Sequence, residues 1–181
     1  MKFRQGRLRS GGPSGPPVRN RKQAVAIMLS EYTNDENIIA AGFLHDTVED
    51  VPEYTFEHLE KDFNKKVADI VLHISEHKCD PWGKPISWKK RKQTYLDSLE
   101  KAPKEALMVS AADTINNLDS LLMTYKLNGV DVWKKFGSGI DNKMRFYGNI
   151  IDLFDRRLKG ELASRARKSY IALESALRSR R

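Results

Sequence analysis

A cluster of ionisable residues follows an apolar run in the first third of the chain. Residues 38–44 are all apolar or Gly, and His45-Asp46 and Glu49-Asp50 come after them. The run predicts a buried helix, and residues three and four apart lie on one helix face, so we expect these four groups to share a small volume. Charges at the end of a buried helix need partners, and a bound divalent cation is one. The segment therefore favours metal-assisted hydrolysis.

A second, mostly apolar run ends in a carboxylate. Residues 106–112 lead to Asp113, and Asn117 follows one helical turn later on the same face. Asp113 is the best candidate for a further metal ligand, and the Asn117 amide can donate to a phosphate or a ribose. The ordinary alternative is that these carboxylates are solvated charges on helix surfaces. The apolar run before His45 weakens that alternative.

Helical periodicity and capping residues recur along the chain, whereas strand patterns are hard to find. Asp35 and Thr55 suit N-terminal caps, and Pro103 suits a first helical turn. We predict an all-α, single-domain helical bundle, because 181 residues are enough to bury one core. The predicted helices span residues 22–31, 35–45, 55–62, 64–76, 87–99, 103–125, 141–158 and 161–178.

Several segments resemble the HD superfamily of metal phosphohydrolases, and within it the RelA/SpoT branch. LHDTVED and FEHLEKDFNKKVADIV are similar to the hydrolase domain of that branch. SWKKRKQTYLDSL, SAADTINNL and KMRFYGNIIDLF are similar to its small, stand-alone alarmone hydrolases. The similarity runs from about residue 14 to about residue 158. It implies an HD-type helical bundle that binds one divalent metal, usually Mn²⁺, and removes the 3′-pyrophosphate of ppGpp.

The resemblance also implies roles for single residues. The implied metal ligands are His45, Asp46 and Asp113. The implied acid/base pair is Glu49 and Asp50. The implied substrate contacts are Asn117, Arg91, Lys92 and Tyr147. The chain then divides into a basic, Gly- and Pro-rich segment at 1–21, an HD phosphohydrolase domain at 22–158 and a basic C-terminal helix at 159–181.

One metal ligand expected from the family is missing. The family carries a His in a pattern like Ser-Gly-x-Pro-x-x-x-His-Pro, and alignment of residues 14–17 puts Arg21 at the His and Lys22 at the Pro. A guanidinium has no lone pair to give to a cation. Three explanations stay open: an impaired hydrolase, another His in the gap, or a non-native start over residues 1–21, which hold no acidic residue. The poor substitutes available are His58, His73 and His77.

The chain has a formal net charge of +8 and a pI near 9.5, which suit a polyanionic nucleotide ligand. It has one Cys, which favours a reducing cytoplasm, and no run long enough to span a membrane. We therefore expect a cytoplasmic protein with a small nucleotide substrate and no membrane partner. The candidate substrates are ppGpp, pppGpp and NADPH.

Two other functions stay open. In the first, the protein is a catalytically impaired nucleotide sensor, and Arg21 neutralises a phosphate where the cation would sit. In the second, it is a basic nucleic-acid-binding module. The second is disfavoured, because an acidic cluster in the pocket repels phosphate when no metal is bound.

Overall fold

A computed structural model of the chain describes residues 18–129 and 139–179. Within these ranges the chain forms nine α-helices and no β-strand. The helices are α1 (Val18–Ser30), α2 (Glu36–Leu44), α3 (Thr47–Asp50), α4 (Phe56–Asp62), α5 (Lys65–Ile74), α6 (Trp88–Leu99), α7 (Lys104–Asn128), α8 (Ile140–Arg157) and α9 (Gly160–Arg178). The predicted all-α class is confirmed.

The helix bounds agree with the predicted ones to within a few residues, with two differences. Helix α1 begins at Val18, four residues before the predicted start, so Arg21 lies on a helix. The sequence pattern also does not predict the four-residue helix α3. Both differences fall in the segments that carry the candidate site.

A turn separates α2 from α3. The prediction that one continuous helix face carries residues 45–50 is wrong, because α2 ends at Leu44 and α3 begins at Thr47. At the start of the turn, His45 Nδ1 lies 2.7 Å from the Gly42 carbonyl oxygen, one of the last carbonyls of α2. Asp46 has φ −95° and ψ 0°, in the sparsely populated bridge region.

Side chains cap several helix starts. Asp35 accepts a hydrogen bond from the backbone of Asn37 at 2.9 Å, and Thr55 forms a capping box with His58. The Asn64 side chain accepts from the first turn of α5 in the same way. Each cap satisfies a backbone N–H that has no partner within its helix. The predicted caps Asp35 and Thr55 are confirmed.

Helix α7 lies at the centre of the fold and packs against α1, α2, α5, α8 and α9. Its buried positions include Ala106, Ala111 and Ala112, whose small side chains let neighbouring helices approach. The largest fully buried side chains of the core are Phe154, Leu29, Leu59, Leu99, Leu107, Ile115, Leu118, Ile150, Ile151, Leu153, Leu173 and Val25. The helix that carries Asp113 is therefore held from several sides.

Helices α1 and α2 meet at Gly42. A Cβ placed on Gly42 would lie 2.4 Å from Leu29 Cδ1 and 3.4 Å from Val25 Cγ1, and both neighbours are fully buried. The absence of a side chain at this position allows the close contact. Because the Gly42 carbonyl contacts His45, this packing also positions the candidate site.

The basic helix α9 packs against α7 and α8, and its Leu162 and Leu173 join the main core. Three of its arginines pair with carboxylates of the same chain: Arg165 with Glu31, Arg167 with Asp152 and Asp155, and Arg178 with Glu174. These arginines thus already have anionic partners. None of the helices in the described ranges has the length and apolar character needed to cross a membrane.

Candidate active site

Residues of six helices, α1, α3 and α5 to α8, line a cavity of about 190 Å³ together with the turn after α2 and the segment after α5. Eight of its lining residues were singled out from the sequence: Arg21, His45, Asp46, Glu49, Lys92, Asp113, Asn117 and Tyr147. The other lining residues are Ile74, Glu76, Tyr95, Ser110, Thr114, Phe146 and Ile150. The structure therefore brings most of the candidate residues to one place, although they come from distant parts of the chain. We call this volume the first cavity.

His45 lies at the buried end of the first cavity, with 5% of its surface exposed. Its Nε2 is 3.2 Å from Asp46 Oδ2 and 3.5 Å from Asp113 Oδ1. Neither approach has hydrogen-bond geometry, so His45 Nε2 and Asp113 Oδ1 are buried polar atoms without a hydrogen-bond partner. Such atoms are rare in folded proteins, and a bound cation would give both of them a partner.

Charge interactions shift the pKa values of this group. Burial alone would lower the pKa of His45, but the carboxylates of Asp113 and Asp46 raise it to about 10. Burial alone would raise the pKa of Asp46, but His45, followed by the cations Arg21 and Lys22, holds that pKa below its usual value. The group is therefore a compact, strongly interacting set of charges.

Arg21 projects into the same set from α1. Its Nη2 donates to Asn117 Oδ1 at 2.7 Å and lies 3.7 Å from Asp113 Oδ1. Asn117 in turn donates from Nδ2 to Asp113 Oδ2 at 2.9 Å. The guanidinium thus contacts a predicted metal ligand, from the position at which the family pattern places a His. Asn117 joins Arg21 to Asp113 and fixes the orientation of both.

The donor set has the chemistry of a divalent-metal site, but the arrangement of its side chains is incomplete. One imidazole nitrogen and two carboxylates are suitable donors, and two ligands about 2.1 Å from one metal lie about 3.0–3.4 Å apart, close to the distances from His45 Nε2 to Asp46 and Asp113. Yet among the residues described here, no group of three or more His, Cys, Asp or Glu side chains is arranged to hold a metal ion. The pairwise spacings fit, but the set is not closed, and Asp113 faces Arg21 as well.

The two members of the predicted acid/base pair differ in position. Glu49 lines the first cavity, and its carboxylate accepts from the backbone N–H of Glu76 at 2.8 Å and pairs with Lys78 Nζ at 2.9 Å. Asp50 does not line that cavity; its carboxylate is partly exposed and lies 3.2 Å from Lys22 Nζ. The structure therefore places Glu49, and not Asp50, beside the metal-ligand candidates.

Glu76 connects the cavity to the cationic helix α6. It pairs with Lys92 and lies 3.6 Å from Arg91 Nη1. Lys92 also lies over the ring of Phe146, 4.7 Å from its centroid. Of the two predicted substrate cations, Lys92 lines the first cavity and Arg91 does not.

Two tyrosines close the apolar side of the first cavity. The Tyr95 hydroxyl and the Ser110 hydroxyl are 2.8 Å apart. Burial raises the pKa values of both Tyr95 and Tyr147 above the usual range, so both hydroxyls stay protonated at neutral pH. Tyr147 is thus a neutral lining group, in the place predicted for a substrate contact.

No other His reaches the first cavity. His77 is exposed on the loop after α5, and His58 caps α4. His73 lies on α5, outside the cavity lining. Arg21 therefore has no His substitute among the described residues.

Sequence reasoning missed Glu76, Tyr95 and Ser110. Glu76 follows the end of α5, and its contacts to Glu49 and Lys92 span 27 and 16 residues, so no local pattern marks it. Ser110 is the one polar residue in the run 106–112, which is a weak local signal for a functional or hydrogen-bonded group. The position of Tyr95 in the cavity lining, hydrogen-bonded to Ser110, becomes visible only in the folded structure.

The fold and the cavity residues agree with a known family. The family model for the HD domain matches residues 4–138, and the chain belongs to that family. The match covers the apolar run, the His45-Asp46 pair and Asp113 together.

Curated relatives share part of their length with this chain. The guanosine-3′,5′-bis(diphosphate) 3′-pyrophosphohydrolase of Danio rerio is 34% identical over 111 residues, 60% of this chain and 58% of the relative. Its Drosophila melanogaster counterpart is 28% identical over 121 residues, 66% and 64% of the two chains. The bifunctional (p)ppGpp synthase/hydrolase SpoT of Escherichia coli is 38% identical over 72 residues, 40% of this chain and 10% of the relative. This chain thus spans less than two thirds of each of these relatives.

Two solved structures share the fold. A crystal structure from Listeria monocytogenes EGD-e matches with a TM-score of 0.73 and 24% identity, over 87% of this chain and 99% of that one. A structure described as a metazoan orthologue of SpoT that hydrolyses ppGpp matches with a TM-score of 0.65 and 23% identity, over 91% and 82% of the two chains. These likenesses confirm the HD-type helical architecture.

Proposed function

We propose that this protein is a metal-dependent phosphohydrolase that removes the 3′-pyrophosphate from (p)ppGpp or a closely similar nucleotide. The observation that carries the proposal is the close approach of His45 Nε2 to Asp46 and Asp113, where His45 Nε2 and Asp113 Oδ1 are buried and have no hydrogen-bond partner. Relatives named as guanosine-3′,5′-bis(diphosphate) 3′-pyrophosphohydrolases supply the substrate class.

His45, Asp46 and Asp113 are the residues that would hold the divalent cation, with Mn²⁺ as the metal that the family resemblance implies. A cation held by these residues would lower the pKa of a water molecule towards about 7 and would polarise a phosphoryl oxygen. The contact of His45 Nδ1 with the Gly42 carbonyl orients the imidazole so that Nε2 faces the carboxylates.

In this proposal Glu49 takes the proton of the attacking water. Its carboxylate lines the cavity and is held by the Glu76 N–H and the Lys78 ammonium, so it has a fixed orientation. A carboxylate held in this way can orient a water molecule and accept its proton, which typically contributes about 10²–10⁴-fold. The predicted participation of Asp50 requires a movement away from Lys22.

Cations at the cavity provide charge for the phosphates. Lys92 and Arg21 both line the cavity, and both already contact carboxylates. A bound pyrophosphate can exchange these contacts for charge-assisted hydrogen bonds to its own oxygens. Asn117 and Tyr147 complete the polar lining as predicted substrate contacts.

A second candidate function is favoured by one observation. Arg21 binds Asn117 and lies 3.7 Å from Asp113, so a cation that belongs to the chain already pairs with one predicted metal ligand and one predicted substrate contact. A protein of this kind can bind a phosphorylated nucleotide through Arg21 without a metal and without turnover. This is the sensor alternative.

Pyrophosphate release from ppGpp, with and without Mn²⁺, tests the proposal in the wild type, Arg21→His and Asp113→Asn. We expect Mn²⁺-dependent turnover by the wild type, equal or higher turnover by Arg21→His, and none by Asp113→Asn, which keeps the size of the side chain. Full turnover by Asp113→Asn would overturn the proposal. So would the absence of pyrophosphate release by both the wild type and Arg21→His.

Calorimetric binding of ppGpp in excess EDTA separates the sensor from the hydrolase. The sensor predicts tight metal-free binding that Arg21→Gln weakens, with turnover confined to Arg21→His. The hydrolase predicts that Mn²⁺ strengthens binding and that the wild type turns over.

A further inference from the structure

Glu76 lies where the end of α5, the first cavity and α6 meet. It lines the first cavity, and it also lines a second, larger cavity of about 650 Å³ between α6 and residues 75–86. The Glu76 side chain is only 13% exposed. A carboxylate that water reaches so little needs charged or hydrogen-bonding partners. What holds Glu76 in place therefore bears on the geometry of the whole site.

Two consecutive cations of α6 hold the Glu76 carboxylate, one at each oxygen. Lys92 Nζ binds Oε1, and Arg91 Nη1 lies 3.6 Å from Oε2. The Lys92 and Arg91 side chains are 25% and 23% exposed, so these pairs are less screened than pairs on an open surface. Lys92 lines the first cavity, whereas Arg91 lines the second. Arg91 can therefore stay paired with Glu76 when a phosphate in the first cavity takes Lys92.

The backbone of Glu76 holds Glu49. The Glu76 N–H donates to Glu49 Oε1 at 2.8 Å, and Lys78 Nζ pairs with Glu49 Oε2 at 2.9 Å. Glu76 comes after the last residue of α5 and belongs to no other helix, so helical hydrogen bonds do not fix its N–H. We therefore expect the position of this N–H to depend on how the Glu76 side chain is held.

Another contact joins α5 to α6 outside the site and provides a control. The Ser98 hydroxyl donates to the His73 carbonyl at 2.9 Å, near the C-terminal ends of both helices. Neither residue lines either cavity. Loss of this hydrogen bond should weaken the packing of α5 against α6 and leave the contact between Glu76 and Glu49 in place.

We propose that Glu76 is a positioning residue that acts through Glu49. Its carboxylate is anchored to α6 by Lys92 and Arg91, and its backbone N–H fixes the orientation of the Glu49 carboxylate. The inference rests on the proposed function for the chemical step, in which Glu49 accepts a proton. Glu76 itself transfers no proton, and Arg91 holds Glu76 and not the substrate.

A double-mutant cycle, measured by steady-state hydrolysis of ppGpp with Mn²⁺, tests the route through Glu49. Glu76→Gln keeps the size of the side chain and the backbone N–H, and it removes the charge that binds α6. Because a misplacement of about 1 Å can cost about 100-fold in rate, we expect Glu76→Gln to lower kcat by about 10–100-fold. KM should not rise, since Lys92 becomes free for phosphate. In the Glu49→Gln background, the same change should cost less than about threefold, because the group that it positions is lost.

Arg91→Gln and Ser98→Ala separate positioning from general stability. Arg91→Gln should lower kcat when it is made alone and have little further effect together with Glu76→Gln. Ser98→Ala should lower the urea midpoint and leave kcat unchanged. The inference is overturned if Glu76→Gln leaves kcat unchanged, or lowers it by the same factor with and without Glu49→Gln. A raised KM with an unchanged kcat in Arg91→Gln would make Arg91 a substrate contact and overturn its role here.

Hydrogen exchange of the residue 76 amide, followed by NMR, tests the contact with Glu49 without any turnover. After correction for intrinsic rates, Glu76→Gln should speed this exchange by at least about fivefold, as the loss of one hydrogen bond to a charged group allows, whereas Ser98→Ala should not. Unchanged exchange in Glu76→Gln would overturn the inference. If the wild type leaves ppGpp intact and Glu76→Gln still speeds the exchange, the proposed function is refuted and the positioning of Glu49 by Glu76 is supported.

Discussion

Substitution of Gly42 tests how tightly the fold controls the candidate site. An Ala Cβ at this position would lie 2.4 Å from Leu29 Cδ1 and 3.4 Å from Val25 Cγ1. Leu29 and Val25 are fully buried, so neither side chain can turn into solvent. Forcing an extra methyl group into a packed core costs about 1–3 kcal/mol. Removing a glycine from a helix interior returns about 0.5–1 kcal/mol, so Gly42→Ala should be destabilising overall.

Gly148→Ala is the matched control. Gly148 also lies within a helix, α8, but the nearest atom to an added Cβ is the Tyr170 hydroxyl at 3.4 Å, at the end of a side chain. This variant should therefore keep the helix gain of about 0.5–1 kcal/mol. The two Gly→Ala variants should differ by the overpacking cost, about 1–3 kcal/mol, or about 2–12 °C in Tm for a chain of this size.

Urea and thermal unfolding, followed by circular dichroism, measure this difference. The Gly42 carbonyl contacts His45 Nδ1, so a shift of α2 should also move the imidazole. Gly42→Ala should therefore lose turnover at temperatures where it is still folded, whereas Gly148→Ala should keep it. If Gly42→Ala were as stable as Gly148→Ala, the contact between α1 and α2 would not be as tight as the distances indicate.

Three further predictions follow from individual contacts. Glu49→Gln should lower kcat by about 10²–10⁴-fold, whereas Asp50→Asn, outside the first cavity, should lower it far less; equal losses would place both carboxylates in the reaction. Lys66, through its hydrogen bond, lowers the pKa of Asp35 to about 2, so the stabilisation is complete above the usual pKa of 3.8 and is lost as the pH falls towards 2. Asp35→Asn should flatten the fall of the urea midpoint between those pH values, and an unchanged profile would contradict this. Tyr95→Phe leaves the buried hydroxyl of Ser110 without its partner and should cost about 1 kcal/mol in urea unfolding, and no measurable cost would argue against that bond.

Most helices could be predicted from the sequence, because the features that determine where they begin and end are local. The apolar runs at 38–44 and 106–112, and caps such as Asp35 and Thr55, act within one or two helical turns. Helix α3 and the turn before it were missed for a different reason. In the turn His45 contacts the Gly42 carbonyl, and periodicity alone does not distinguish such a side chain from one that continues the helix.

The residues of the candidate site also fall into a part that the sequence predicts and a part that it does not. His45, Asp46, Glu49 and Asp113 follow apolar runs, so the sequence indicates them even without the family resemblance, and all four line one cavity. The side chains that these residues contact could not be predicted, because those contacts depend on packing between distant segments. Asp50 lies against Lys22, and the link from Glu49 through Glu76 to α6 joins segments that no local pattern relates.

Arg21 gives the strongest single test of metal binding, because its effect has two separable parts. A divalent cation at Asp113 must displace or tolerate the Arg21 charge 3.7 Å away, and it finds no donor atom at that position. Arg21→Gln removes the charge and adds no imidazole, whereas Arg21→His removes the permanent charge and can add a ligand.

We therefore expect the half-saturating Mn²⁺ concentration, measured by calorimetry, to fall in the order wild type, Arg21→Gln, Arg21→His, with at least about a tenfold drop in total. Equal Mn²⁺ binding by all three proteins would mean that the cation, if it binds, does not bind next to Asp113.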